Sequence, residues 1–93
     1  MDTIKIGSHA FNAWTIPTKN VSMMLINAKN GTLACGYISI EAADKFGDPM
    51  AIVRGVSSYD DMLKAKVAAV SKAAAALGIT TDLTGQQALL LMS

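Results

Sequence analysis

The sequence is poor in the residues that build metal and disulfide-stabilised sites. Its 93 residues include one cysteine and one histidine, so it cannot supply the four ligands of a structural zinc site or form an internal disulfide. Charged residues make up only 16%, with eight cations against seven anions, which leaves no polybasic surface for nucleic acid or anionic lipid. We therefore expect no metal, cofactor, nucleic-acid or membrane partner, and a reducing, cytoplasmic location.

Long apolar runs are also missing. No stretch reaches the roughly 18 consecutive apolar residues that suggest a membrane span, and the first five residues do not resemble a signal peptide. In contrast, 52% of all residues are hydrophobic, and the mean hydropathy is +0.36. This is ample material for one core in a chain too short for two, so we interpret residues 1–93 as one domain.

The first half of the sequence has the pattern of β-strands. Residues 3–6 alternate between apolar and polar types, and residues 10–16 are rich in aromatic and β-branched side chains. Pro17 cannot donate to a β-ladder, so we expect it to end the second strand or to lie at its edge. Residues 50–54 form a further strand candidate in the second half.

A hairpin is the strongest local signal. Residues 21–28 and 32–39 flank Asn30-Gly31, a pair typical of a two-residue turn with positive φ angles. That turn would place Ile26 opposite Cys35 and would make both faces of the hairpin apolar. We therefore expect the hairpin to lie in the centre of a sheet that is covered on both sides.

The second half has helical patterns. Residues 40–46 form a short helix candidate ended by Gly47, residues 60–77 form one long alanine-rich helix, and the capping box Thr84-Gly85-Gln86-Gln87 opens a last helix. The sequence thus predicts an α+β fold of two layers, with a mainly antiparallel five-stranded sheet, one long helix and two short helices. The buried stripe of the long helix would comprise Leu63, Val67, Val70, Ala74 and Leu77.

Cys35 is the only strong nucleophile in the chain. A catalytic thiol needs a nearby cation, a helix N-terminus or a histidine base, whereas the hairpin surrounds Cys35 with apolar side chains. We interpret it as a buried structural thiol and keep a Cys35-dependent enzyme as the alternative. Gly36 beside it marks a bulge or a close approach by another group. His9, between the first two strands, is interpreted as a surface histidine.

The segment before the long helix has the ingredients of an anion site. It combines a cation, a glycine, two hydroxyls and the free amides of a helix start in Arg54, Gly55, Ser57 and Ser58. We expect a phosphate or carboxylate ligand to bind there. The alternative is an ordinary capped helix start, in which the acids Asp60-Asp61 complement the helix dipole.

Six short motifs follow one another in a recognisable order. They are Asn30-Gly31, Cys35-Gly36, Ala51-Ile52-Val53-Arg54-Gly55-Val56, Asp60-Asp61-Met62-Leu63, Ala76-Leu77-Gly78-Ile79 and Thr84-Gly85-Gln86-Gln87-Ala88-Leu89-Leu90. This set resembles the YunC-like family of small bacterial and archaeal proteins, a family of unknown function, over about residues 11–92. The resemblance implies a compact α+β domain without an established activity. The chain departs from the family pattern at Ser39, where relatives are expected to carry an acid, and at residues 82–85, in place of a Gly-Met-x-Gly stretch.

The predicted sheet has more apolar surface than one long helix can cover. Six methionines add adaptable contact area, and a chain of this size buries only about 60–65% of its surface when alone. We therefore expect a homo-oligomer, with a symmetric dimer as the default. The predicted function is a small ligand- or anion-binding domain that self-associates. A structural or partner-binding subunit is a further alternative.

Overall fold

The structure is a computed structural model that describes residues 1–93. Six strands form one sheet in which spatial order follows chain order. All neighbouring strands pair antiparallel except the fourth and fifth, which are parallel. The α+β class and the mainly antiparallel sheet agree with the prediction, whereas the count of six strands corrects the predicted five. The strands are β1 (Asp2–Ile6), β2 (His9–Pro17), β3 (Ser22–Ala28), β4 (Gly31–Cys35), β5 (Met50–Val53) and β6 (Ala69–Val70).

Four short helices complete the fold. Two of them have the ends that the sequence predicted. The first helix stops at Gly47, which adopts the left-handed conformation at φ 73°, and the last helix starts at the capping box of Thr84 and Gln87. None of the helices is long and apolar enough to cross a membrane. The helices are α1 (Ile40–Phe46), α2 (Tyr59–Lys64), α3 (Lys72–Ala76) and α4 (Gly85–Met92).

The prediction of one long helix over residues 60–77 is wrong. The chain leaves the helical conformation at Ala65, whose φ and ψ are −69° and 147°, and then forms β6. The N–H of Ala68 donates to the carbonyl of Ile52 at 2.6 Å, so this segment pairs with the free edge of β5. Such tertiary pairing outweighs the helix propensity of an alanine-rich segment. In the predicted stripe, Val67 and Ala74 are buried, Leu63 and Val70 are half-buried, and Leu77 is exposed.

The β3–β4 hairpin turns one residue earlier than predicted. Ala28 pairs with Gly31, so the loop consists of Lys29-Asn30, and neither the loop nor Gly31 has a positive φ. Position 31 is glycine for a different reason: a Cβ there would overlap the side chain of Met92 and lie 2.9 Å from the carbonyl oxygen of Pro49. The register differs from the predicted one by two residues, so every side chain keeps its predicted face.

The main core lies between one face of the sheet and helices α2 and α4. Helix α4 approaches closely because its first residue is Gly85, where a Cβ would overlap the carbonyl of Met62 and lie 2.9 Å from Cδ2 of Leu33. Burying each large aliphatic side chain contributes about 1.5–3 kcal/mol. The largest fully buried apolar residues of this core are Ile26, Leu33, Met62, Ile79, Leu89, Met92 and Val53.

The opposite face of the sheet is covered over part of its width. Helix α1 connects the parallel strands and packs against β5. Ala43 on this helix is buried outside the main core, as are Ala34 on β4 and Ile52 on β5. Over β2 and β3 the same face is more open, which differs from the predicted cover on both sides. Its large apolar side chains, half-buried or exposed, are Trp14, Ile16, Met23 and Leu25.

Candidate functional site

The carboxyl ends of the parallel strands bring together two segments that the sequence singled out separately. β4 ends at Cys35, which pairs with Val53 at the end of β5. A Cβ on the following Gly36 would lie 3.0 Å from Cγ of Arg54 and 3.6 Å from its Nε. The side chain of Arg54 therefore lies across Gly36. The close approach that we predicted at this glycine is made by the arginine side chain.

Arg54 has no charged partner. Its side chain is exposed and makes no hydrogen bond or ion pair. The one ion pair of the protein joins Lys64 to Asp60 at 2.9 Å. That hydrogen bond from Lys64 to Asp60 raises the pKa of the lysine. Gly55 follows Arg54 in the left-handed region at φ 70°, a conformation that favours glycine and turns the chain toward α2.

Ser57 and Ser58 make the helix cap of α2. The N–H and hydroxyl of Ser57 both donate to Oδ2 of Asp61, at 3.1 and 2.9 Å, and Oγ of Ser58 accepts from the N–H of Asp61 at 3.0 Å. The bond from the Ser57 N–H, followed by that from its hydroxyl, holds the pKa of Asp61 below its ordinary value. The donors of Ser57 are thus engaged by a carboxylate of the same chain, and no hydrogen bond joins either serine to Arg54.

Cys35 is buried, as its apolar surroundings predicted. Its sulfur accepts a 3.3 Å hydrogen bond from the N–H of Met24, and no side chain hydrogen-bonds to it. His9 is exposed at the opposite end of the sheet, where its ring stacks on Phe11 with the centroids 6.3 Å apart. No group of three or more histidine, cysteine, aspartate or glutamate side chains could hold a metal ion.

Two surface cavities lie at opposite ends of the sheet. The larger, about 390 Å³, is open and polar and is lined by residues 27–32 and 48–50. The smaller, about 240 Å³, lies between the β2–β3 turn and the loop after β5, so it adjoins the carboxyl ends of the parallel strands. Of the predicted site residues, Ser57 lines the smaller cavity, and Arg54, Gly55 and Ser58 line neither cavity. The lining residues of the smaller cavity are Asn20, Val21, Ser22, Met24, Val56 and Ser57.

Sequence reasoning missed two contributors to this region. The β2–β3 turn reaches the small cavity only because β3 pairs with β4, and no local signal marks that approach. Tyr59 was also missed: its hydroxyl accepts from Oγ1 of Thr15 at 2.6 Å and donates to Oδ2 of Asp2 at 3.0 Å. Burial is the main cause that raises the pKa of Tyr59. These bonds tie the start of α2 to β1 and β2.

The geometry defines a small α+β domain with an arginine at the carboxyl end of its parallel strand pair. Residues 34–92 match a family described as a domain of unknown function (DUF1805), and the chain belongs to this family. The crystal structure of a protein of unknown function from Thermoplasma acidophilum is similar, with a TM-score of 0.93 and 30% sequence identity, covering 99% of this chain and 90% of that one. No curated protein sequence matches the chain. The predicted relationship to a family of unknown function is confirmed.

Proposed function

We propose that this protein binds a small anionic ligand at the carboxyl ends of β4 and β5, with Arg54 as the charged contact. The observation that carries the proposal is an exposed guanidinium without a carboxylate partner, lying across Gly36 beyond the only parallel strand pair. In open α/β sheets, ligands bind beyond the carboxyl ends of the parallel strands, and β4 and β5 are the one such pair in this α+β sheet. A guanidinium offers phosphate or carboxylate a charge-assisted, bidentate contact.

The neighbouring residues divide into a primary and a secondary contact. Gly36 lets the side chain of Arg54 lie across the backbone, whereas the space beside Gly55 is open, with no atom within 4 Å of where a Cβ would be, so an oxyanion can approach the backbone at Gly55. Ser57 already holds the carboxylate of Asp61 through its N–H and its hydroxyl. A ligand would reach these two donors only if the Asp61 side chain rotated away, and Ser58 would continue to cap α2. Arg54 and Gly55 are therefore proposed as the primary contact, and the two serines as the secondary one.

A thermal-shift series tests this proposal. Phosphate, sulfate, nucleotides and small carboxylates would each be titrated against the wild type, Arg54→Ala and Lys29→Ala, a variant that removes an exposed cation at the other end of the sheet. An anion at 100 times its Kd stabilises the folded state by about 2.7 kcal/mol. We expect this gain in the wild type and in Lys29→Ala and its loss in Arg54→Ala. Equal gains in all three proteins, or no gain from any anion, would contradict the proposal.

A Cys35-dependent enzyme is the alternative, and labelling with iodoacetamide distinguishes it. Cys35 is 5% exposed, so we expect no labelling of the native protein and rapid labelling after unfolding. Fast labelling of the native protein at neutral pH would favour the enzyme, because it would require an accessible thiolate.

Within the family of unknown function, we also propose the narrower relationship to the YunC-like proteins.

A further inference from the structure

We propose that the open face of β2 and β3 binds the same face of a second copy of this protein. The open face consists of the residues on the side of β2 and β3 opposite the main core, which form three cross-strand pairs. These pairs are Asn12 with Asn27, Trp14 with Leu25, and Ile16 with Met23.

The centre of the open face is apolar. The pair of Trp14 and Leu25 lies next to the pair of Ile16 and Met23, so four large apolar side chains are contiguous. Ile16 is 48% exposed and the other three are half-buried, and Met23 also packs against the main core. An antiparallel sheet that faces water normally carries polar residues on its solvated side, whereas aromatic residues and methionine are enriched where proteins meet. The composition of this face is therefore that of an interface.

The absence of charge on the open face favours a second copy as the partner. In a two-fold symmetric contact the same surface meets itself, so a charged face would repel its own copy. All six residues of the open face are uncharged, and charged side chains occur around it. They are Lys5 on β1, Lys19 in the β2–β3 turn, Lys29 in the β3–β4 loop, and Glu41, Asp44 and Lys45 on α1, which covers the neighbouring part of the same sheet face. The amide of Asn12 carries donors and an acceptor, and Asn27 offers its NH₂ donors, because its Oδ1 already accepts from Oγ1 of Thr32 at 2.6 Å. These side chains can therefore hydrogen-bond to their counterparts.

The size of the sheet also bears on the proposed contact. A stable interface buries about 800 Å² on each partner, which is about 15% of the 5328 Å² surface of this chain. The protein measures 34 × 31 × 22 Å, and β2 with its nine residues is about 30 Å long. The open face, two strands wide and about 30 Å long, would supply part of this area, and its margins would have to supply the rest.

The native protein offers a direct probe, because its only tryptophan is Trp14. Sedimentation velocity would measure the mass from submicromolar to high micromolar concentration, and tryptophan emission would be recorded over the same dilution series. We expect twice the monomer mass of 9.7 kDa at the upper end, and a red shift of the emission as dilution exposes the indole ring. A monomer at high micromolar concentration, or a dimer whose emission does not change on dissociation, would overturn the proposal.

Two variants of matched exposure localise the contact. Ile16→Lys places a charge on the open face, and Leu91→Lys places one on α4, where the leucine is 46% exposed. We expect Ile16→Lys to weaken dimerisation roughly tenfold or more, because it buries an unpaired charge, and Leu91→Lys to leave it unchanged. The reverse result would place the interface on the helical layer and overturn the proposal. Circular dichroism checks that each variant folds. If Ile16→Lys does not fold, the dilution series of the wild type alone tests the proposed interface.

Discussion

Replacing Ser71 with alanine should be the most damaging loss of a single hydroxyl in this protein. Ser71 is fully buried. Its Oγ accepts hydrogen bonds from the N–H groups of Met50 at 2.9 Å and Ala74 at 3.2 Å, and it donates to the carbonyl of Asp48 at 2.8 Å. One oxygen thus joins the start of β5, the segment before it and the first turn of α3. Ser71→Ala would leave three backbone groups without this partner.

The expected magnitude follows from those three bonds. Depriving a buried backbone group of its partner costs about 1–3 kcal/mol, and the loss of a helix cap typically costs about 1 kcal/mol. The bond from Ala74 is buried, and the bonds that involve Met50 and Asp48 are partly buried. The three losses are not additive, because the bonds share one oxygen and the groups can relax together. We therefore expect Ser71→Ala to lower the free energy of unfolding by about 3 kcal/mol.

Ser39→Ala is the matched control, because Ser39 caps α1 from an exposed position with one bond, from the N–H of Glu41 at 3.1 Å. We expect this control to cost only about 0.5–1 kcal/mol. Urea unfolding followed by circular dichroism would measure both variants, with the midpoint reporting stability and an unchanged slope indicating the same unfolding transition. The reasoning is refuted if Ser71→Ala costs no more than Ser39→Ala.

Two further predictions concern the α2 region. Gly85→Ala should destabilise the protein by about 2 kcal/mol or more, measured as a lower urea midpoint, because the new Cβ would overlap the carbonyl of Met62; a wild-type midpoint would mean that α2 and α4 separate at little cost. The lowered pKa of Asp61 implies that its carboxylate stabilises the folded state above the ordinary aspartate pKa and loses this contribution as the pH falls below about 4. Asp61→Asn should therefore flatten the acid side of the thermal-stability profile, and an unchanged profile would contradict this account.

The parts of the fold that the sequence predicts well depend on local chemistry. Pro17 ends β2, Gly47 ends α1, and Thr84 with Gln87 starts α4. Each of these signals acts within a few residues: a missing N–H, a left-handed conformation, and a side chain that satisfies a free amide. The alternation of apolar residues likewise assigned each side chain of β3 to the correct face.

The parts that the sequence does not predict depend on long-range pairing. Residues 65–71 have good helix formers, yet the free edge of β5 draws them into β6, and the turn at Gly31 is fixed by Met92 from the far end of the chain. The same limit applies to the site. The sequence predicted a role for both Gly36 and Arg54, but only the parallel register of β4 and β5 places the arginine side chain across the glycine. Only the folded turn shows that Ser57 donates to the carboxylate of Asp61.

The coincidence of strand order and chain order has a consequence for folding. No strand has to be inserted between two that are already paired, so the sheet can grow by successive addition from β1 to β6. During synthesis the N-terminal meander of β1 to β4 can thus form before the helical half has emerged, which limits the loop-closure entropy of each step. The last event closes the chain on itself: the end of α4 reaches the β3–β4 turn, where the N–H of Asn30 donates to the carbonyl of Met92 at 2.8 Å. A nascent chain would therefore expose its sheet until the final helix docks.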